Sequence, residues 1–333
     1  MSNLPRGEFG LIRWVRDRAR PGPRTRLGIG DDCAMLRVEP SGDLLISTDM
    51  LMDGAHFHLG ETSAEAVGYK AMAVNLSDIA AMAGIPLAAL VAVALPRSNA
   101  VAVAQGLWEG MTPLIERFGV DLIGGDTNAW DGPLVICVTI LGACSDRGPV
   151  RRSGARPGDS ILVTGPLGGS LLSRHLQPQP RVAEALALHR EAPIHAMIDI
   201  SDGLAADLGH ILEESGALGA LLDAEAIPIH PDAMKMAAHD GRPALAHALY
   251  DGEDFELCLV LDPTDAERLL AHPPPGLTLY RIGAVEAGPG LRLRSGGGEL
   301  VPIPPRGYDH LGDGGIEDRG EGAPCGRSGQ TGV

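Results

Sequence analysis

The chain has 333 residues, enough for two domains that each bury a core, and 44% hydrophobic residues with only 3% aromatic ones point to a soluble globular protein packed mainly with Ala, Val, Leu and Ile. Its 43 acidic and 27 basic residues leave a formal charge of −16, which argues against generalised attraction to nucleic acid or an anionic membrane. Only two of the basic residues are lysines, Lys70 and Lys235, so a mechanism built on a phosphate-binding lysine is restricted from the outset.

The opening residues, MSNLPRGEFG, lack the apolar core of a signal peptide. Five cysteines (Cys33, Cys137, Cys144, Cys258, Cys325) are scattered without CxxC spacing, which reads as free thiols in a reducing cytosol and predicts a cytoplasmic protein. An amphipathic helix is expected over 8–20, closed by PGPRT. Residues 28–57 then read GIGDDCAML, a turn, and LLISTDMLMDGAHF, so an apolar run through Leu44, Leu45 and Ile46 delivers Ser47, Thr48 and Asp49 at its end, after the Asp31–Asp32 pair on a glycine turn. A helix follows over 63–83, with Thr62 or Ser63 as N-cap and Gly84–Ile85–Pro86 as its stop. The unbroken apolar run 87–95 predicts a strand buried on both faces. Asn75, Asp78 and Pro86 make the stretch 73–95 a helix and a strand, not a membrane span. Helical spacing returns over 98–118 with Gly119 as C-cap, and strands are expected at 120–123 and 134–142, separated by GGDTNAWDG.

The polar, basic and turn-rich segment 146–157 marks a domain boundary, dividing the chain into an N-terminal domain over 1–147 and a C-terminal domain over 148–311. Beyond it, strands are predicted at 160–164, 196–200, 218–222, 255–261 and 277–285. Helices are predicted from GPLGGS through His175 and at 181–190, 204–215 and 265–271. Both halves mix strands and helices, so each is α/β or α+β. Residues 312–333 have no apolar periodicity and are expected to be a disordered tail.

Carboxylates recur where apolar runs end: Asp32, Asp49, Asp78 in VNLSDIAAMAG, Asp126 in IGGDTN, and Asp199 with Asp202 in MIDISDGL. Each alone has an ordinary reading as a cap or turn residue, and in DISDG Ser201 or Asp202 could simply cap the helix that follows. Asp78 is harder to dismiss, because an unpaired carboxylate inside an apolar helix is costly. If the six converge they repel one another unless a cation is present. Hard carboxylate and hydroxyl oxygens without a Cys or His cluster favour Mg²⁺ over zinc, and Mg²⁺ usually shares its shell with substrate phosphates, which suggests a nucleotide. The glycines of GGDT admit close approach of a phosphate, and Arg152 offers a bidentate phosphate contact, unless it is only a solvated linker arginine. The chain has no G-x-x-x-x-G-K-[ST] loop and no H-R-D and D-F-G pair, so phosphoryl transfer here has to rest on metal ions and arginine.

The ordered set GIGDDCAML, ISTDMLMDGAHF, YKAMAVNLSDIAAMAG, IGGDT, RRSGARPGD, DISDGL, GEDFEL and RGYDHL resembles the thiamine-monophosphate kinase family, in the superfamily of aminoimidazole-ribotide synthetase, over nearly the whole chain. The resemblance implies a two-domain aminoimidazole-ribotide synthetase-like fold and a homodimer whose N-terminal sheets join across the two-fold axis. It implies ATP-dependent phosphorylation of thiamine monophosphate to thiamine diphosphate, the final step in making that cofactor, with Mg²⁺ and no phosphoenzyme. Carried over position by position, Asp32, Ser47, Thr48, Asp49, Asp78, Asp126, Asp199 and Asp202 match magnesium ligands, with Asp78 and Asp126 the most critical. Gly125, Asp126, Arg152 and Ser201 match nucleotide contacts, and His56, Glu253 and Tyr308 match contacts to thiamine monophosphate. Tyr308 suits stacking on a cationic heterocycle, Glu253 supplies negative charge or a hydrogen-bond acceptor, and His56 can reach a phosphate or a pyrimidine. Arg151 replaces the threonine common at the start of the family's RSGA motif, while Asp53 stands at a variable position and is given no role. A sister enzyme acting on another small molecule, a non-catalytic nucleotide- or metal-binding protein and a metal-dependent phosphohydrolase are the rival readings.

Overall fold

The computed structural model describes residues 14–20, 22–27, 35–36, 43–172 and 174–308. Asp31, Asp32, the first part of the helix expected over 8–20 (residues 8–13) and the tail over 312–333 lie outside the described residues. Two short strands, β1 (Thr25–Leu27) and β2 (Met35–Leu36), pair antiparallel.

Four longer strands, β3 (Leu44–Met52), β4 (Gly84–Pro96), β5 (Asp121–Trp130) and β6 (Val135–Cys144), form a sheet in the order β3-β6-β4-β5. Only β4 and β5 run parallel. Strand alternation in β3 turns Leu45 and Leu51 into the core and leaves Ile46, Met50 and Met52 exposed on the outer face. The expectation that β4 is buried on both faces holds only for its first half, because Ala92 is exposed. The strand also starts earlier than its apolar run, with Pro86 tolerated at a bulge. Polar GGDTNAW extends β5 well beyond the expected 120–123, since β4 offers it a parallel partner as far as Trp130.

Helices α1 (Ala64–Ala81) and α2 (Ala100–Phe118) cover the inner face. Ser63 caps α1, its Oγ accepting from the Ala66 N–H at 3.2 Å. Almost every α1 position from Val67 to Ala81 is buried, including Lys70, Asn75 and Ser77. A helix buried on all sides is a central element. α1 packs on its own sheet, on α2 and on the second half of the chain, where it meets α3 (Val182–Glu191) and β8 (Ile194–Asp199).

The second half is built on a seven-stranded sheet, β13-β12-β9-β11-β7-β10-β8, antiparallel except where β9 meets β12. Its strands are β7 (Ser160–Val163), β8, β9 (Gly219–Asp223), β10 (Leu257–Leu261), β11 (Tyr280–Glu286), β12 (Gly290–Arg294) and β13 (Leu300–Ile303). Among the described residues the second half also holds helices α4 (Leu204–Glu214), α5 (Pro231–Asp240), α6 (Ala244–Tyr250) and α7 (Pro263–Ala271). The architecture is the mixed α/β, α+β one expected from the sequence. The pattern missed α5, α6, β12 and β13, which are short or bury few side chains; α5 buries only Ala233. The helix expected to open at GPLGGS is instead two 3-10 turns, Ser170–Leu172 and Arg174–Leu176. Gly168 and Gly169 have positive φ, Ser170 Oγ donates to the Gly252 carbonyl at 2.6 Å, and exposed Leu171 and Leu172 give no buried face to sustain a helix. Among the described residues no helix is long and apolar enough to cross a membrane.

Candidate functional site

Helix α1 carries Lys70, Val74, Ser77 and Asp78 at spacings of four, seven and eight residues, one continuous face turned to the second half of the chain. Ser77 Oγ donates to Asp199 Oδ2 at 2.6 Å, linking the helix to the end of β8. Ser47, on the inner face of β3, donates its hydroxyl to Asp78 Oδ2. Asp49, two residues along the same face, stands beside Asp78.

Three sequence-predicted carboxylates, Asp49, Asp78 and Asp199, therefore converge, and each titrates abnormally. Burial and then the negative charge of Asp78 push Asp49 up to about 7. Burial and the neighbouring Asp78 and Asp49 charges push Asp199 to about 7, against the hydrogen bond from Ser77. Asp78 is raised by burial too, restrained by the Ser47 hydrogen bond and the Arg152 charge. The three cannot all ionise comfortably without a cation. Among the described residues no group of three or more His, Cys, Asp or Glu side chains is by itself placed to hold a metal ion. An open wall of hard oxygens fits Mg²⁺, which normally completes its shell with water and phosphate oxygens, better than it fits zinc.

These shifts predict a pH dependence. The folded values near 7 for Asp49 and Asp199 exceed the ordinary 3.8, so these groups stabilise the metal-free protein most at low pH and lose that contribution as pH rises through about 7. A divalent cation binds the ionised form. The Mg²⁺-induced rise in melting temperature is therefore expected to be larger near pH 8 than near pH 5.5 in scanning fluorimetry. Equal rises would contradict the convergence of charge described here.

The DISDG loop departs from its simplest reading. Neither Ser201 nor Asp202 caps α4; the N-cap is Gly203, with no side-chain cap bond. Asp207, in the first turn of α4, instead accepts from the Ser201, Asp202 and Gly203 N–H groups at 3.0, 3.1 and 3.1 Å. Burial, with the Asp199 and Asp202 charges, pushes Asp207 to about 8. Sequence reasoning missed this residue, because an aspartate in a helix's first turn reads as a dipole partner. Its effect is to shape the loop so that Ser201 and Asp202 both border a cavity.

Two cavities open on either side of the carboxylates. One, of about 610 Å³, is bordered by Arg151, Arg152, Ser153, Ile79 and Met82. The other, of about 730 Å³, is bordered by His56, Glu253, Tyr308, His175, Leu171 and Leu172. Asp49, Asp78, Asp199 and Ser201 border both. The Arg152 main chain is anchored at the first: Ser215 Oγ donates to the Arg152 carbonyl at 3.4 Å and accepts from the Gly154 and Ala155 N–H groups at 3.1 Å. In the second, His56 Nδ1 accepts from the Met52 N–H at 3.0 Å. The Tyr308 N–H donates to the Asp202 carbonyl at 3.0 Å, laying residues 304–308 along the DISDG loop. Glu253 is not a bare charge, since fully buried Lys70 donates to its two carboxylate oxygens at 2.8 and 2.7 Å. Burial works to raise the Glu253 carboxyl, but the His175 and Lys70 hydrogen bonds outweigh it and hold it below the usual glutamate range.

Not every predicted residue joins the cluster. Thr48 follows Ser47 by one residue, so its side chain leaves on the outer face, where its hydroxyl meets Thr139 Oγ1 at 3.0 Å and the Val138 carbonyl at 3.2 Å. The expectation that the Thr48 hydroxyl faces the same place as Ser47 and Asp49 therefore fails by strand parity. Gly125 and Asp126 lie on β5, the edge opposite β3, and border neither cavity. The paired row Met50–Cys137–Ala92–Asp126 puts Asp126 on the outer face, about 14 Å from β3 across three strand spacings. Gly125 has a structural reason of its own, since a Cβ there would fall 1.9 Å from the Val91 carbonyl oxygen. Asp32 lies outside the described residues.

The profile of the AIR synthase related protein, N-terminal domain, matches residues 30–144, and that of the C-terminal domain matches 156–296. A thiamine-monophosphate kinase of Rhodopirellula baltica is 40% identical over 310 residues, covering 91% of this chain and 97% of the relative. The Escherichia coli K12 enzyme of the same name is 37% identical over 328 residues, covering 92% and 98%. The crystal structure of thiamine-monophosphate kinase from Stenotrophomonas maltophilia superposes with a TM-score of 0.75 at 35% identity, covering 89% and 98% of the two chains. A structure described as AaThiL complexed with AMPPCP and TMP superposes with a TM-score of 0.71 at 30% identity, covering 92% and 97%. Hydrogenase maturation protein HypE from E. coli, at 22% identity and a TM-score of 0.72, shares the fold alone. The chain belongs to the AIR synthase related family and, within it, to the thiamine-monophosphate kinases.

Proposed function

We propose that the protein transfers the γ-phosphate of ATP to thiamine monophosphate in the cytoplasm, releasing thiamine diphosphate and ADP. The observation that carries this reading is the wall of Asp49, Asp78 and Asp199 shared by two cavities, one bordered by arginines and the other by His56, Glu253 and Tyr308. Two ligands held on either side of one acidic wall suit a transfer between them. The relatives' shared name and the neighbour holding AMPPCP and TMP support the same assignment.

In this reading Arg152 and Ser201 receive the nucleotide, and His56, Glu253 and Tyr308 receive thiamine monophosphate. Ser47, Asp49, Asp78, Asp199 and Asp202, with Asp32, would hold the magnesium ions, which when bound supply the positive charge that lets two phosphate chains approach a carboxylate wall. The acceptor phosphate oxygen is already ionised at neutral pH, so it can attack the γ-phosphorus in line with ADP leaving, and no side chain has to remove a proton. The abnormal carboxylates accordingly serve charge and position, not base catalysis.

Residues 1–147 act as the ATP- and Mg²⁺-binding and dimerisation domain and 148–311 as the C-terminal α/β domain. The outer face of the N-terminal sheet supports a homodimer: Ile46 is 66% exposed and Met50 54%, and Leu44, Leu90 and Ala143 pack on a small separate apolar cluster there. Such a face, left to water, favours a second copy of itself. Asp126 and Gly125, carried on that sheet but remote from their own chain's cavities, then act at the site of the other protomer.

Incubation with ATP, Mg²⁺ and thiamine monophosphate is expected to yield thiamine diphosphate and ADP in equal amounts. ATP turnover without thiamine diphosphate would refute the kinase reading and favour a phosphohydrolase.

A further inference from the structure

Lys70 is a buried charged group to which the phosphoryl transfer itself gives no task. Lys70 Nζ is completely enclosed, yet it touches residues from both halves of the chain. It donates to the Glu253 carboxylate at 2.7 and 2.8 Å and to the His56 main-chain carbonyl at 2.9 Å, and it lies 3.1 Å from His175 Nδ1. We propose that Lys70 is the positioning residue of the acceptor cavity, holding Glu253 and His56 in register without touching the acceptor itself. This rests on the reading of that cavity as the site for thiamine monophosphate.

Three features argue for positioning over simple adhesion between the two halves. A buried ion pair is often no more stabilising than apolar side chains of the same volume, so its retention at a cavity wall calls for another account. Glu253 and Phe255 both adopt left-handed backbone, with φ of 53° and 52°, a conformation that non-glycine residues keep only where their surroundings impose it. Glu253 is held from opposite ends, by the Lys70 ammonium on its carboxylate and by its own N–H bond to the Ser201 carbonyl at 2.7 Å, while the Phe255 N–H donates to the Ile200 carbonyl at 2.8 Å. Lys70 also shares its helix face with Ser77 and Asp78, about 12 Å further along α1, so one rigid helix sets the spacing between the acceptor residues and the acidic wall.

The pair also defines what Glu253 can recognise. Its charge is matched by Lys70, so it meets the acceptor as an oriented hydrogen-bond acceptor for an N–H group, not as a counter-ion for a cationic ring. That task falls to the face of Tyr308, at the same cavity.

Equilibrium binding of thiamine monophosphate and of an ATP analogue, each with Mg²⁺, tests the proposal in Lys70→Met and Lys70→Gln. Both variants are expected to weaken thiamine monophosphate about ten- to a hundredfold, with a matching rise in its KM, while ATP affinity and kcat at saturation stay within about threefold. Lys70→Gln keeps an uncharged NH₂ donor group, falls between wild type and Lys70→Met, and carries the test if the methionine variant does not fold. Unchanged acceptor affinity, or parallel loss of both ligands with a lower melting temperature, would overturn the positioning role and leave the kinase reading intact. Failure of the wild-type protein to bind thiamine monophosphate would instead overturn the acceptor assignment, and the Lys70 proposal with it.

Discussion

Asp78→Asn is expected to lower kcat by on the order of a thousandfold or more while leaving the melting temperature unchanged or raised. The two halves of this result have one cause. Asp78 borders both cavities, stands beside Asp49, and weighs on the titration of Asp199. Replacing its carboxylate by an amide of the same shape removes a charge that the folded state tolerates poorly and that the proposed transfer uses. The Ser47 hydroxyl keeps an acceptor in the amide oxygen, so the local hydrogen bonding survives. Steady-state kinetics and a thermal melt on the same preparation check both halves. Near-normal turnover would remove the carboxylate wall from the mechanism, and a collapsed melting temperature would make Asp78 a structural residue.

Leu90→Asp has the second largest expected effect, and it acts at a distance. Leu90 lies in β4 on the outer face of the N-terminal sheet and borders neither cavity. In an isolated chain an aspartate there meets water at little cost; in a dimer joined through this face it becomes a buried, unpaired charge on each side. Light scattering is expected to give twice 34.7 kDa for the wild-type protein and the single-chain mass for the variant. With Asp126 acting at the other protomer's site, as proposed, turnover is expected to fall about a hundredfold or more. A monomeric variant with full activity would return the whole site to one chain and leave Asp126 without a role.

Much of the fold was legible because apolar periodicity reports burial. α1 and β3 stand where their patterns predict them, and carboxylates at the ends of apolar runs, Asp49 and Asp199, do face the cavity. The outward turn of Thr48 could have been foreseen from strand parity alone. The position of Asp126 could not, because it depends on the strand order β3-β6-β4-β5, which separates β3 and β5 to opposite edges and which no local pattern encodes. Lys70 was counted as a scarce cation when its meaning lay in its partner Glu253, 183 residues away. Asp207 escaped notice because its three acceptor contacts are to backbone N–H groups of a loop that forms only around it. Contacts between distant segments, and not the local elements, are what the sequence pattern left out.

Phosphate chains from the two cavities are expected to meet at one carboxylate wall. A crystal structure with Mg²⁺, a non-hydrolysable ATP analogue and thiamine monophosphate tests it most directly. The nucleotide is expected beside Arg152, the heterocycles between Glu253 and Tyr308, and both terminal phosphates beside Asp49, Asp78 and Asp199. Both ligands in one cavity, or phosphates remote from these carboxylates, would contradict it.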